Sequence, residues 1–171
     1  EMVNSFHKHF SFPDYKSKFD GLYSKKMLFG KDIIIFKPQI FMNLSGRPIR
    51  KIRSFYKINN LKDLILIHDD MDMEFSKIRI KISGGHGGHN GVRDTIKFNG
   101  EDFYRIKFGI KNEELEKGKV KPENFVLDKF NENEKLEITK LKELSNKNFE
   151  YLVNKEFPLF KQNIVVNWYG F

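Results

Sequence analysis

Three aspartates and a histidine directly follow an apolar run near the middle of the chain. Residues 64–67 are all apolar, and His68, Asp69, Asp70 and, two positions further, Asp72 come after them. A short uninterrupted apolar segment is typical of a strand that is buried on both faces. Ligands of open α/β sheets bind outside the carboxyl ends of the strands. The pattern therefore predicts that Asp69 is partly desolvated and that it orients a histidine or holds a cation.

The same acids allow two other interpretations. In the first, they cap the turn after the strand and stay in water. This interpretation remains open for Asp69 and is favoured for Asp70 and Asp72. In the second, all three hold a metal ion in a generic phosphate-ester hydrolase, and a chelator would then abolish activity.

A glycine-rich loop over residues 84–91 contains His86, His89 and Asn90. Its five glycines permit backbone conformations with positive φ and close approach by a ligand. Residues 90–98 have helical spacing, so Asn90 is predicted to be the N-cap, where backbone donors converge.

This loop matches neither common nucleotide-binding pattern. Gly-x-Gly-x-x-Gly does not occur in it and no Lys-Ser or Lys-Thr follows, which argues against a nucleotide cofactor. His86 and His89 are a weak zinc pattern, because they lie three positions apart on a flexible loop in a chain without cysteine. We therefore expect neither a metal nor a cofactor.

A further polar position precedes a predicted helix at residues 49–57, where Asn43 or Ser45 is expected to be the N-cap. An asparagine at a helix start is usually only a cap. Asn43, however, follows the end of one predicted strand, as Asp69 follows another, and Asn90 begins a second helix. The convergence of three polar groups on one rim predicts a pocket.

Periodicity also predicts the elements that must position these groups. The 171 residues are 39% hydrophobic and suit one folded domain. Residues 111–122 form a predicted polar loop or lid, and residues 124–127 form a short apolar segment. We expect a helix at residues 1–10, a hairpin with arms at 19–29 and 32–36, strands at 75–82 and 105–110, and helices at 131–154 and 157–168.

The charge of the chain favours a polyanionic partner. There are 31 Lys and Arg against 23 Asp and Glu, a net charge of +8. Eight basic and three acidic residues lie between Lys77 and Lys111, so two basic edge strands are expected beside the glycine loop. Alternatively, outward lysines on edge strands only prevent aggregation. With no cysteine and no long apolar run, we expect a soluble cytoplasmic protein without a membrane partner.

Four segments of the chain, taken in order, resemble the bacterial peptidyl-tRNA hydrolase family. They are Phe-Met-Asn-Leu-Ser-Gly at 41–46, His-Asp-Asp-Met-Asp at 68–72, Gly-Gly-His-Gly-Gly-His-Asn-Gly at 84–91 and Phe-Tyr-Arg-Ile-Lys-Phe-Gly-Ile at 103–110. The resemblance implies a single α/β domain over residues 1–171, with a mixed central β-sheet flanked by helices. It also implies an enzyme that cleaves the ester between a peptide and the 3′ ribose of tRNA, without metal or cofactor. We expect a monomer.

The resemblance also implies roles for individual residues. In that family a histidine is the general base on water, and an aspartate that corresponds to Asp69 orients it. Asn90 matches a residue that helps to hold the substrate and the water, which makes it catalytic as well. The substrate-binding residues that the resemblance implies are Phe41, Met42, Asn43, His89 and Asn90.

Two lysines match the clamp that grips tRNA phosphate in that family. Lys81 occupies the lysine position of the clamp, and Lys107 falls where the family usually has arginine. This change keeps the charge and loses the planar two-pronged fork of a guanidinium. We therefore expect a looser phosphate geometry at Lys107.

The general-base histidine of that family belongs to an amino-terminal strand and loop, together with an asparagine that senses the blocked amino group. His7 and His9 do not match it, because they fall inside the predicted helix at residues 1–10. We expect the sequence to be a fragment whose amino-terminal strand and histidine lie upstream. The alternative is a catalytically inactive tRNA-binding protein of the same fold, and the upstream coding sequence would discriminate between the two.

Overall fold

A computed structural model of the chain describes residues 1–112, 115 and 130–169. The chain divides into two compact units, formed by Glu1–Leu66 with Ile82–Arg105 and by Ile67–Lys81 with Ile106–Phe171. Most of the predicted lid and all of the apolar segment at 124–127 lie outside the described residues. Along the described residues, no helix combines the length and apolarity needed to cross a bilayer.

An antiparallel sheet of three strands belongs to the first unit. The strands are β1 (Lys16–Lys18), β2 (Gly21–Leu28) and β3 (Lys31–Pro38), in that order across the sheet. The predicted hairpin is confirmed, and it turns at Phe29 and Gly30, which have φ of 51° and 72°. β1 was not predicted, because its three exposed polar residues carry no apolar pattern.

Three helices complete the first unit: α1 (Met2–His9), α2 (Gly46–Phe55) and α3 (Asn90–Asn99). α1 packs against β3 and buries Met2 and Phe6, as its apolar spacing predicts. α2 and α3 pack against each other. A short 3₁₀ turn, Met42–Leu44, precedes α2 and contacts α3.

A second sheet has the strand order β4–β6–β5, where β4 is Ile65–Glu74, β5 is Ile78–Ile82 and β6 is Tyr104–Lys111. β4 and β6 run in the same direction, because Leu64 O accepts from Tyr104 N–H and Lys111 O accepts from Phe75 N–H. β5 runs opposite to β6, because Lys77 O accepts from Gly109 N–H and Phe103 O from Ser83 N–H. The predicted α/β class with a mixed sheet is confirmed.

Two expectations about this sheet are wrong. β4 continues to Glu74, so Asp69 lies within the strand rather than after its end. The backbone pairing that extends a strand does not require apolar side chains, and the end of the apolar run was therefore a poor marker. β6 lies between the other two strands, so only β5 of the two predicted basic strands is at an edge.

Helices α4 (Glu132–Lys147), α5 (Phe149–Val153) and α6 (Phe157–Tyr169) belong to the second unit. Asn131 and Glu134 form a capping box at the start of α4, with both reciprocal hydrogen bonds present. The single helix predicted over 131–154 is interrupted at Asn148, whose side-chain amide donates to Leu144 O at 2.8 Å. The buried apolar residues of these helices are Leu141, Leu144, Phe149, Leu152, Phe157, Phe160 and Ile164.

Candidate active site

Contacts between α2 and α3 stabilise the candidate site of the first unit. Asp94 Oδ2 accepts a hydrogen bond of 2.7 Å from Gly46 N–H, and Asn99 Nδ2 donates to Gly46 O at 3.0 Å. A Cβ at position 46 would lie 2.1 Å from the backbone oxygen of Asp94, so a larger residue cannot fit without a backbone shift. This contact fixes the first turn of α2 and, with it, the preceding turn Met42–Leu44.

That 3₁₀ turn lies against the amino-terminal end of α3. A Cβ added to Gly91 would meet Met42 Sδ at 2.6 Å and His89 Cε1 at 3.2 Å. Met42 and His89 therefore lie beside the first turn of α3, each next to an asparagine of the candidate site. The structure thus brings together the predicted substrate-binding residues Phe41, Met42, Asn43, His89 and Asn90.

Most of these side chains face solvent. Phe41 is 80% exposed and Met42 is 60% exposed, and both asparagines are exposed as well. Large apolar side chains exposed beside amide groups are typical of a binding surface, because they lose contact with water only when a ligand covers them.

The N-cap of α3 is His89 and not Asn90, so that prediction is wrong. His89 Nδ1 accepts hydrogen bonds from Gly91 N–H at 3.1 Å and from Val92 N–H at 3.3 Å. An accepting Nδ1 carries no proton, so the proton of the neutral ring is on Nε2. The sequence favoured Asn90 because asparagine is a much commoner N-cap than histidine.

A buried arginine holds the glycine loop. The guanidinium of Arg105 donates to three consecutive backbone oxygens, those of Ser83, of Gly84 at 2.5 Å and of Gly85 at 2.8 Å. The residue is only 1% exposed, and this burial lowers the pKa of Arg105, while the negative charge of Glu101 opposes the shift. Arg105 therefore positions the loop that leads to α3.

Sequence reasoning missed this role, because it treated Arg105 only as one of the eight basic residues between Lys77 and Lys111. Burial along β6 does not alternate, because the neighbouring residues Arg105 and Ile106 are both buried. Nothing in the local sequence pattern shows that carbonyl groups lie within reach of a buried guanidinium. Only the pairing of Ser83 with Phe103 brings the loop carbonyls to Arg105.

An ion pair lies in the second unit, between Asp70 Oδ2 and Lys107 Nζ at 2.7 Å. The side chain of Asp70 is 11% exposed and that of Lys107 is 16% exposed. Asp70 Oδ1 also accepts from Asp72 N–H at 2.9 Å. Burial alone would raise the pKa of Asp70, but the hydrogen bonds from Lys107 and Asp72 and the charge of Lys107 hold it below its ordinary value.

This pair corrects the favoured interpretation of Asp70 as a solvated turn residue. Asp72 is exposed, as that interpretation expects.

Asp69 is half-buried within β4, and His68 Nδ1 donates to the backbone oxygen of Asp69 at 2.6 Å. Lys81 is exposed on β5. The convergence of Asp69 with the asparagines of the first unit stays a prediction.

The hypothesis of a metal site finds no support in the described part of the chain. Within residues 1–112, 115 and 130–169, no group of three histidine or acidic side chains is placed to hold an ion. Asp69, Asp70 and Asp72 all belong to this part, and the carboxylate of Asp70 is held by Lys107 instead.

Comparison with known proteins decides the family, because the sequence model described as peptidyl-tRNA hydrolase matches residues 1–166. The chain belongs to the peptidyl-tRNA hydrolase family. It is 42% identical over 144 residues to the peptidyl-tRNA hydrolase of Fusobacterium nucleatum, a match that covers 84% of this chain and 73% of that protein. It is 32% identical over 164 residues to that of Pelagibacter ubique, covering 96% and 86%.

The fold agrees with this assignment. The crystal structure of peptidyl-tRNA hydrolase from Acinetobacter baumannii is similar with a TM-score of 0.80 and 28% sequence identity. The likeness covers 95% of this chain and 82% of that one. The resemblance stated from four motifs is therefore confirmed, and the chain is a hydrolase of this family.

Proposed function

We propose that this chain hydrolyses the ester bond between a peptide and the 3′ ribose of tRNA and so returns tRNA to translation. The proposal rests on the match of residues 1–166 to the peptidyl-tRNA hydrolase family. The comparisons give no support to the alternative of an inactive tRNA-binding protein. We also propose that the protein acts on peptidyl-tRNA in the cytoplasm, because this substrate arises where translation takes place. A monomer is part of the same proposal.

In this proposal the first unit binds the 3′ end of the substrate. The exposed ring of Phe41 offers a face on which the terminal base can stack. The amides of Asn43 and Asn90 each provide donors and an acceptor, so they can hold the ester carbonyl and a water molecule. Met42 and His89 support this surface, since they pack beside the first turn of α3.

The chemistry requires a base that removes a proton from the attacking water. In the family this base is a histidine, and we propose that Asp69 orients it and stabilises the imidazolium formed in the reaction. The activated water attacks the ester carbonyl, and the tetrahedral intermediate then expels the 3′ oxygen of the ribose. The proton returns to that oxygen, so the products are free tRNA and a peptide with a carboxyl group.

Lys81 and Lys107 are the proposed contacts to tRNA phosphate. Lys81 is exposed on β5 and can approach a phosphate without breaking a buried contact. The ammonium of Lys107 has three donors and is already paired with Asp70, so it offers a phosphate a positioned donor rather than a full additional charge.

Replacement of Asp69 tests the proposed role in catalysis. In protein that turns over peptidyl-tRNA, Asp69→Asn should lower this turnover by about 10²–10⁴ and leave tRNA affinity nearly unchanged. Asp72→Asn is the matched control, because Asp72 is an exposed acid of the same strand. Equal losses of turnover and affinity in Asp69→Asn would contradict the assignment.

A further inference from the structure

A concave surface of the first unit combines cations with aromatic rings and lies beyond the residues that the proposed chemistry uses. It is a groove of about 560 Å³ along α2. We call it the basic groove, and its charged and aromatic lining consists of Phe19, Arg47, Arg50, Lys51, Phe55 and Phe98.

Each aromatic ring of the basic groove has a cation close to it. Lys18 Nζ lies 4.0 Å from the centre of the Phe55 ring and 5.1 Å from that of Phe19. The guanidinium of Arg47 lies 5.7 Å from the ring centre of Phe98, and Lys97 Nζ lies 5.6 Å from the same centre. The surface therefore presents π-faces and positive charge together.

The arrangement of these cations does not stabilise the helix that carries them. Arg47, Arg50 and Lys51 have i, i+3 and i+4 spacing, so their like charges repel one another along one face of α2. Within the described part of the chain, the ion pair with Asp20 offsets the charge of Lys51 alone among the three. The first turn of α2 holds Arg47 and no acidic residue, and a positive charge there also opposes the helix dipole. The aromatic ring of Phe55 is 55% exposed, so it contributes little to the core. These costs point to a ligand.

We propose that the basic groove binds RNA, with phosphates on the guanidinium and ammonium groups and a base or ribose on the ring of Phe55. The identification of this RNA as tRNA rests on the proposed function. α2 begins three residues after Asn43, and its ten residues extend about 15 Å. The basic groove therefore continues the substrate surface of the first unit along this helix.

Neutralising the exposed cations of α2 tests the proposal. Arg50→Gln combined with Lys51→Gln should weaken binding of fluorescein-labelled tRNA several-fold in anisotropy titrations at 50–200 mM KCl. The slope of log affinity against log salt should fall by about 1, because one to two phosphate contacts are lost. The matched control replaces two exposed lysines of the same unit outside the basic groove, Lys8→Gln with Lys62→Gln, and should change both quantities much less.

A second variant changes the binding in the opposite direction. Asp20 forms an ion pair of 2.6 Å with Lys51. Asp20→Asn should leave this lysine available for phosphate and tighten tRNA binding about two- to five-fold. Asp20 has a φ of 57°, a conformation that asparagine tolerates, so the fold should be kept. Unchanged binding in both the double variant and Asp20→Asn, with unfolding temperatures near that of the parent protein, would overturn the proposal.

Two further binding measurements distinguish the groove proposal from the proposed function. Binding of poly(U) that falls in the double variant supports an RNA-binding groove even if the parent protein fails to bind tRNA, which would count against the proposed function alone. Conversely, if Lys81→Gln weakens tRNA binding and the double variant does not, the groove proposal fails and the proposed function stands. Loss of binding only to phosphatidylglycerol vesicles in the double variant would show a membrane surface and overturn the RNA assignment.

Discussion

Asp70 and Lys107 form an ion pair of 2.7 Å in which both side chains are largely buried, so the carboxylate already neutralises one lysine of the proposed phosphate clamp. A neutralised lysine attracts fewer counterions than an exposed one, and it releases fewer when a phosphate binds. The two clamp lysines should therefore differ in how they respond to salt.

The salt dependence of tRNA binding should reveal this difference. Lys81→Gln should reduce the log–log salt slope by about 0.7–0.9, the value for one lost phosphate contact. Lys107→Gln should reduce it by clearly less, because its charge is shared with Asp70. Anisotropy titrations at several KCl concentrations would measure both slopes. Equal reductions would mean that Lys107 leaves Asp70 when tRNA binds.

The same ion pair should make the stability of the protein sensitive to acid. The pKa of Asp70 lies below the ordinary value of about 3.9, so its ionised form stabilises the fold above about pH 4. This contribution is lost as the pH falls through the lowered pKa of the folded state. Asp70→Asn lacks it, and its unfolding temperature should therefore fall less between pH 5 and pH 3 than that of the parent protein.

At neutral pH the same variant should be less stable, by about 1–3 kcal/mol, because Lys107 keeps its buried position without an anionic partner. Asp72→Asn, which changes an exposed acid, is the control for a general effect of lost charge. Parallel pH profiles for the parent protein and Asp70→Asn would contradict the role of the pair.

His89 is the N-cap of α3 and also a predicted substrate-binding residue, and two substitutions should distinguish these roles. His89→Ala removes the acceptor for Gly91 N–H and Val92 N–H and should lower the free energy of unfolding by about 1 kcal/mol. His89→Asn keeps a good cap and should restore most of that stability. If the imidazole also contacts substrate, the KM for peptidyl-tRNA stays raised in His89→Asn. Urea unfolding together with steady-state kinetics would measure the two effects.

Close packing at Gly46 should make this position intolerant of any side chain. A Cβ there would lie 2.1 Å from Asp94 O, so Gly46→Ala must push α2 away from α3 and should cost about 2–4 kcal/mol of unfolding free energy. Gly85→Ala is the matched control, because a Cβ at position 85 meets no atom within 4 Å. Similar unfolding temperatures for the two variants would show that the contact is easily relaxed.

Local patterns in the sequence were sufficient for most helices and strands. Apolar spacing located α1, α2, α3 and the hairpin, because a helix or strand that buries one face repeats its apolar residues with its own period. The capping box at Asn131 and Glu134 is equally local, since both partners lie within one turn. Four short motifs indicated the family, and the match over residues 1–166 confirms it.

By itself, then, the sequence determined the α/β class, the family and the set of candidate site residues, all of which depend on short segments of the chain. Only the tertiary structure decided which charged groups are buried. Lys107 lies 37 positions from Asp70, and Arg105 lies 20 positions from the Gly85 carbonyl that it binds. The burial and pairing of a charge depend on neighbours that are distant in sequence. No local pattern therefore distinguishes the largely buried side chain of Asp70 from that of exposed Asp72, or buried Arg105 from exposed Arg50.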